Sequence, residues 1–186
     1  MIKRYAIDEI QKIWSDDNRF KLFLEIELVW MKVLEKSSLI PDGISEKYNN
    51  IKLDLFRIDE IKKKTRHDFL AFCESVTDQV EPSLGKFFHY GLTSSDVIDT
   101  ALMLQVKSSL KIEIDALEVL CKSFVKLAER DKELITVGRS HGRNAEPLSW
   151  GQKWLSFYHE FKRRLDDLKV ILKNDLTGQF SGAVGS

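Results

Sequence analysis

From Ser95 to about Arg130 the chain runs without a glycine or a proline. Leu102, Leu110, Ile114, Leu117, Leu120, Phe124 and Leu127 recur along it at helical spacing, which predicts one unbroken helix. A second such stretch runs from Pro147 to about Leu176. There Trp150, Trp154, Phe157, Phe161, Leu165, Leu168 and Leu172 repeat every three or four residues. Pro147 is expected in its first turn, where a missing N–H costs little. At about 1.5 Å per residue these helices reach about 54 and 45 Å. A compact globule of 186 residues is only about 40 Å across, so the helices overhang it. Long helices with a wide apolar face pack in bundles with other long helices. Only two are encoded, so partners are expected from another subunit or from a continuation of the chain. The small-residue ending, Gly178 to Ser186, favours continuation, and the sequence reads as truncated.

The first half is built from shorter pieces. Ser15, Asp16 and Asp17 offer an N-cap and an acidic first turn for a helix over about 16–37, with Phe20, Phe23, Leu24, Leu28, Met31 and Leu34 on one face. Pro41-Asp42-Gly43 makes a turn, and helical patterns follow around 44–49, 57–63 and 68–80, closed by Pro82 and Gly85. Leu134 to Val137 is a short extended connector, and strand signals are otherwise scarce. The fold class is all-α. Apolar residues make up 43% of the chain, enough for a real core, and 29 basic side chains balance 29 acidic ones. A phosphate-tracking surface needs excess Lys and Arg, so no nucleic-acid partner is expected. No apolar run approaches the ~20 residues that span a bilayer, and the first ten residues lack a signal-peptide stretch. Cys73 and Cys121 stand alone inside helical segments and read as buried thiols in a reducing cytoplasm.

Three polar clusters sit at segment junctions. Thr65-Arg66-His67-Asp68 precedes an apolar helix. Thr65 or Asp68 serves as its cap, or an anion meets the free N–H groups together with Arg66 and His67. In His89-Tyr90-Gly91-Leu92-Thr93-Ser94-Ser95-Asp96, Ser94 or Ser95 caps the long helix, or the hydroxyls and helix start form a cradle for carboxylate or phosphate oxygens. In Gly138-Arg139-Ser140-His141-Gly142-Arg143-Asn144-Ala145-Glu146-Pro147, the glycines let the backbone close around His141. That histidine either caps a neighbouring carbonyl or works as a general acid or base near neutral pH. His159 lies on a charged helix face and reads as surface. Ser140-His141 lacks a nucleophile elbow, and no metal-ligand spacing or Walker-type loop occurs. No metal or cofactor is expected.

Taken in order, Arg4-Tyr5, Ile13-Trp14-Ser15, TRHD, HYGLTSSD, GRSHGRNAEP and SGAVGS, joined by long helices, resemble the adenylosuccinate lyases of the fumarase/aspartase superfamily. The resemblance covers the whole chain. TSSD and SHG point to the superfamily, while Arg4-Tyr5 and Thr65-Arg66-His67-Asp68 narrow it. It implies elimination of fumarate from adenylosuccinate and from the succinylated imidazole carboxamide intermediate of purine synthesis. A base removes a proton from the succinyl carbon, an acid protonates the departing nitrogen, and donors stabilise the charge that develops. By the resemblance, His141 is the acid. Arg4, Tyr5, Arg66, His67 and Asp68 hold the nucleotide, Thr93 and Ser94 bind the substrate's acidic groups, and His89 helps with phosphate. His67 orients the substrate or also moves a proton. Ser140 stands where the family has Thr and keeps the hydroxyl. The family's loop with the Ser general base lies beyond Ser186.

The resemblance also implies a small N-terminal helical domain over 1–93. Residues 94–186 are then the first part of a long-helix bundle that assembles as a cytoplasmic homotetramer, with active sites shared among three subunits. Two alternatives stand beside it. One is another superfamily lyase with a different succinyl substrate. The other is a non-catalytic helical assembly module.

Overall fold

The computed structural model describes residues 3–185. The chain folds as two compact units, Met1–Val106 with Thr177–Ser186, and Lys107–Leu176.

The first unit opens with a 3-10 turn at Lys3–Tyr5, then α1 (Asp8–Ile13) and α2 (Asp16–Lys36). Ser15 caps α2 as its sequence suggests, its side chain accepting the Asn18 N–H at 3.2 Å. A 3-10 turn (Ser45–Tyr48) stands where a short helix is expected. It is followed by α3 (Leu55–Thr65), α4 (Asp68–Thr77) and the single turn α5 (Pro82–Gly85). Asp54 caps α3 by accepting the Phe56 and Arg57 N–H groups at 2.9 and 3.1 Å. The long helix α6 (Ser94–Arg130) begins in this unit.

Phe20, Phe23, Met31, Tyr48, Phe69, Phe72, Phe88 and Val97 form the centre of the core. Phe20 and Phe72 stack at 5.8 Å, and Phe23 meets Phe72 edge-on at 5.6 Å. Burying each such side chain stabilises the fold by about 1.5–3 kcal/mol, so the aromatic cluster of α2 and α4 sets their packing. Segment 177–185 closes on this unit. The Thr100 hydroxyl accepts the Gln179 N–H at 3.0 Å, and the Phe180 ring lies 4.6 Å from that of Trp30.

The second unit holds the rest of α6, a hairpin of β1 (Ile135–Ser140) and β2 (Arg143–Ser149), and α7 (Trp150–Asn174). The strands are antiparallel, with Thr136 opposite Leu148 and Ser140 opposite Arg143. The extended connector is therefore one arm of a ribbon, and the third cluster spans its turn. Pro147 is not in the first turn of α7; it lies in β2 opposite Val137. Both strands of a two-stranded ribbon are edges, where a residue without an N–H is tolerated. The start of α7 is fixed instead by Ser149, whose hydroxyl accepts the Gly151 N–H at 3.1 Å and donates to the Lys132 carbonyl at 2.6 Å. Ile114, Cys121 and Leu165 are the buried contact between α6 and α7, and Phe124 stacks on Trp154, Phe157 and Phe161. Both cysteines are free thiols. Among the described residues no helix is long and apolar enough to cross a membrane.

Candidate active site

The first unit carries a cleft of about 520 Å³ whose lining includes His67, Cys73, His89, Thr93 and Ser94. The structure thus brings four residues from the first two clusters to one cavity. Each is placed by the backbone around it.

Helix α3 ends on Arg66, which turns left-handed at φ 55° while its N–H donates to the Lys62 carbonyl at 2.8 Å. Helix α4 starts on the next residue but one. Its cap is neither Thr65 nor Asp68 but His67, whose Nδ1 accepts the Leu70 N–H at 3.2 Å. The extended backbone of His67 (φ −140°, ψ 114°) aims the ring at the free amides of the first turn. An accepting Nδ1 carries no proton, so the hydrogen of neutral His67 sits on Nε2. Asp68 lies inside the helix and pairs with Lys62 at 2.9 Å.

Neither Ser94 nor Ser95 caps α6. The helix begins at Ser94, and Asp96 reaches back to accept the Thr93 N–H at 2.9 Å, the reciprocal half of a capping box. The other oxygen of Asp96 accepts the Ser181 and Gly182 N–H groups at 2.9 and 3.2 Å, tying SGAVGS to TSSD. Burial opposes ionisation of Asp96. The Ser181, Thr93 and Gly182 amides and the nearby His89 nevertheless hold its carboxyl below the usual range.

His89 is left-handed at φ 58° and half-buried, its Nδ1 lying 2.7 Å from Oε1 of Glu27. Burial, and then the Glu27 charge, pushes the Tyr48 phenol up to about 12 and raises the Cys73 thiol as well. Both effects favour the protonated form of Cys73 in the cleft.

His141 belongs to the second unit, at the tip of the hairpin. It and Gly142 have φ 51° and 72° between the paired Ser140 and Arg143, as a two-residue type I′ turn requires. Its side chain is exposed. At Gly138 an added Cβ would lie 2.7 Å from the Glu146 carbonyl, so that glycine permits the strands' close approach. Arg4 and Tyr5 stand outside the cleft lining, with the guanidinium 4.7 Å above the Tyr5 ring, and Arg66 is also exposed and outside it.

Four non-glycine residues are left-handed among the described residues: Ser38, Arg66, His89 and His141. Three of the four come from the three polar clusters. Such backbone is unfavourable for an L-residue and gathers where side chains are held for function. The sequence reading missed Glu27, although its signal was present. Glu27 falls four residues from both Phe23 and Met31, a carboxylate in the middle of the buried stripe.

The family model described as Lyase matches residues 4–186. The chain belongs to this lyase family. It is 37% identical to the adenylosuccinate lyase of Thermotoga maritima and 39% identical to that of Staphylococcus saprophyticus. Each match covers 100% of this chain and 43% of the relative, so the chain spans less than half the length of these curated relatives. A solved structure of a fumarate lyase from Mesorhizobium superposes with a TM-score of 0.89 over 96% of this chain and 43% of that one. At 23% identity this likeness shows the lyase family's fold alone.

Proposed function

We propose that this chain is the N-terminal portion of an enzyme that eliminates fumarate from adenylosuccinate, and from the related succinylated imidazole carboxamide nucleotide of purine biosynthesis. The observation that carries this reading is the matched identity to adenylosuccinate lyases along the full chain. The grouping of His67, His89, Thr93 and Ser94 on one cleft supports it.

In the proposed division of roles, His141 protonates the departing nitrogen. Its exposed place on a tight turn leaves the ring free to meet a substrate. His67 orients the substrate through Nε2–H, because protonating Nδ1 as well would forfeit the helix cap. His89, Thr93 and Ser94 supply donors to acidic groups, and Arg4, Tyr5, Arg66 and Asp68 complete the nucleotide contacts. The base is proposed to come from a segment beyond Ser186, so the 186-residue chain alone is inactive.

The domain division at 93/94, the homotetramer and the cytoplasmic location belong to the same reading. Exposed Val119, Val125, Phe157 and Val170 in the second unit support self-association.

Nucleotide binding by Arg66→Gly tests the reading. Glycine suits the left-handed end of α3, and the exposed side chain it removes carries the guanidinium. AMP affinity is expected to fall about tenfold or more with thermal stability retained, since hydrogen bonds to charged groups are worth about 1.5–3 kcal/mol. Unchanged affinity would favour a non-catalytic assembly module.

A further inference from the structure

Helix α2 buries Phe20, Phe23, Glu27, Met31 and Leu34, four apolar side chains and one acid. Glu27 is 0% exposed. A carboxylate without compensation there is strongly unfavourable, and an apolar residue would complete the stripe. Both of its oxygens meet His89. The His89 backbone N–H donates to Oε2 at 3.2 Å, and Nδ1 lies 2.7 Å from Oε1. The contact is satisfied with Nδ1 as the donor and the carboxylate as the acceptor. The Phe69 ring packs on the same imidazole with centroids 4.8 Å apart. The left-handed backbone of His89 fixes where the side chain departs. Acid, aromatic face and backbone together leave one ring edge uncommitted, that of Nε2, on a side chain that lines the cleft.

We infer that Glu27 is a positioning residue that holds His89 as the Nδ1–H tautomer and presents Nε2 to an oxyanion of the bound ligand. The inference rests on the cleft being the ligand site proposed above, but the Glu27–His89 pairing does not depend on which ligand it is. When the oxyanion enters, Nε2 takes a proton from solvent and donates it in a charge-assisted hydrogen bond. Glu27 balances the imidazolium that results. His89 and His67 then face one cleft with Nδ1 of each committed to the protein, as a donor in His89 and as an acceptor in His67. Phosphate and carboxylate groups share this chemistry.

The test uses the 186-residue chain. Nitrogen-15 NMR of labelled histidine should find His89 protonated at Nδ1, and Glu27→Gln should shift it towards the other tautomer. AMP, adenosine, inorganic phosphate and fumarate are titrated by calorimetry. Glu27→Gln should weaken the oxyanion probes about ten- to hundredfold and leave adenosine unchanged. Added to His89→Gln it should weaken them no further. Loss confined to AMP and phosphate assigns a phosphate, and loss confined to fumarate assigns a carboxylate. An equal loss for adenosine, additive effects in the double variant, or an unprotonated Nδ1 in the wild type would overturn the positioning role. If no probe binds the wild-type chain, the oxyanion contact is overturned, while the NMR result still decides the pairing and the whole protein's activity decides the proposed function. Should Glu27→Gln not fold, the wild-type tautomer and the selectivity of His89→Gln for oxyanion probes decide it.

Discussion

Replacing His141 by asparagine separates the stability of the hairpin from its proposed chemistry. His141 and Gly142 are both left-handed, at φ 51° and 72°, and the histidine side chain is exposed. Left-handed backbone costs an ordinary L-residue about 1–2 kcal/mol, and asparagine bears it better than most. Asn-Gly is among the pairs that a type I′ turn prefers. The variant should recover about half of that cost, roughly 0.5–1 kcal/mol. For a chain of this size that raises Tm by about 1–4 °C. Asparagine cannot supply a proton, so in the whole protein kcat should fall about 10² to 10⁴-fold with KM little changed. Thermal denaturation followed by circular dichroism reads the first effect, and initial rates read the second. A fall in Tm would show that the histidine holds the hairpin through contacts of its own. A loss of activity below tenfold would remove His141 from the acid role.

Two further expectations concern the second unit. Gly151→Ala should destabilise the chain by about 1–3 kcal/mol, because the new Cβ would lie 2.5 Å from the Ala128 carbonyl and 2.8 Å from Cα of Lys132. Helix propensity alone predicts the opposite sign, so a higher Tm would refute the close approach. Asp131 is held down to about 2, from the ordinary 3.8, by hydrogen bonds from Arg130 and Trp154. A lowered carboxyl stabilises the fold above its unfolded value and loses that contribution as pH falls from 3.8 towards about 2. Asp131→Asn should therefore show a shallower acid limb in a pH series of denaturant melts, and an unchanged limb would refute it.

The helices were legible because their signals are local and repeated. Ser15 before an acidic turn marked α2, and the glycine-free run from Ser95 marked α6. The hairpin was not legible, because its strands are mostly exposed and carry no sustained apolar period of two. Pro147 misled in the same place, since a residue suited to a first helical turn also suits an edge strand. The clusters stood out by composition, but their internal wiring did not. That His67 caps α4, that Asp96 joins TSSD to SGAVGS, and that Glu27 reaches His89 across 62 positions are outcomes of tertiary packing.

Product analysis with adenylosuccinate tests the central claim most directly. The 186-residue chain and the whole protein of which it is proposed to be a part are each incubated with the substrate, beside a His141→Ala control. Fumarate and AMP are then quantified. The account predicts equal amounts of both from the whole protein, and none above the control from the chain alone. Fumarate from the chain alone would place the base within these residues, and no fumarate from the whole protein would contradict the proposed function itself.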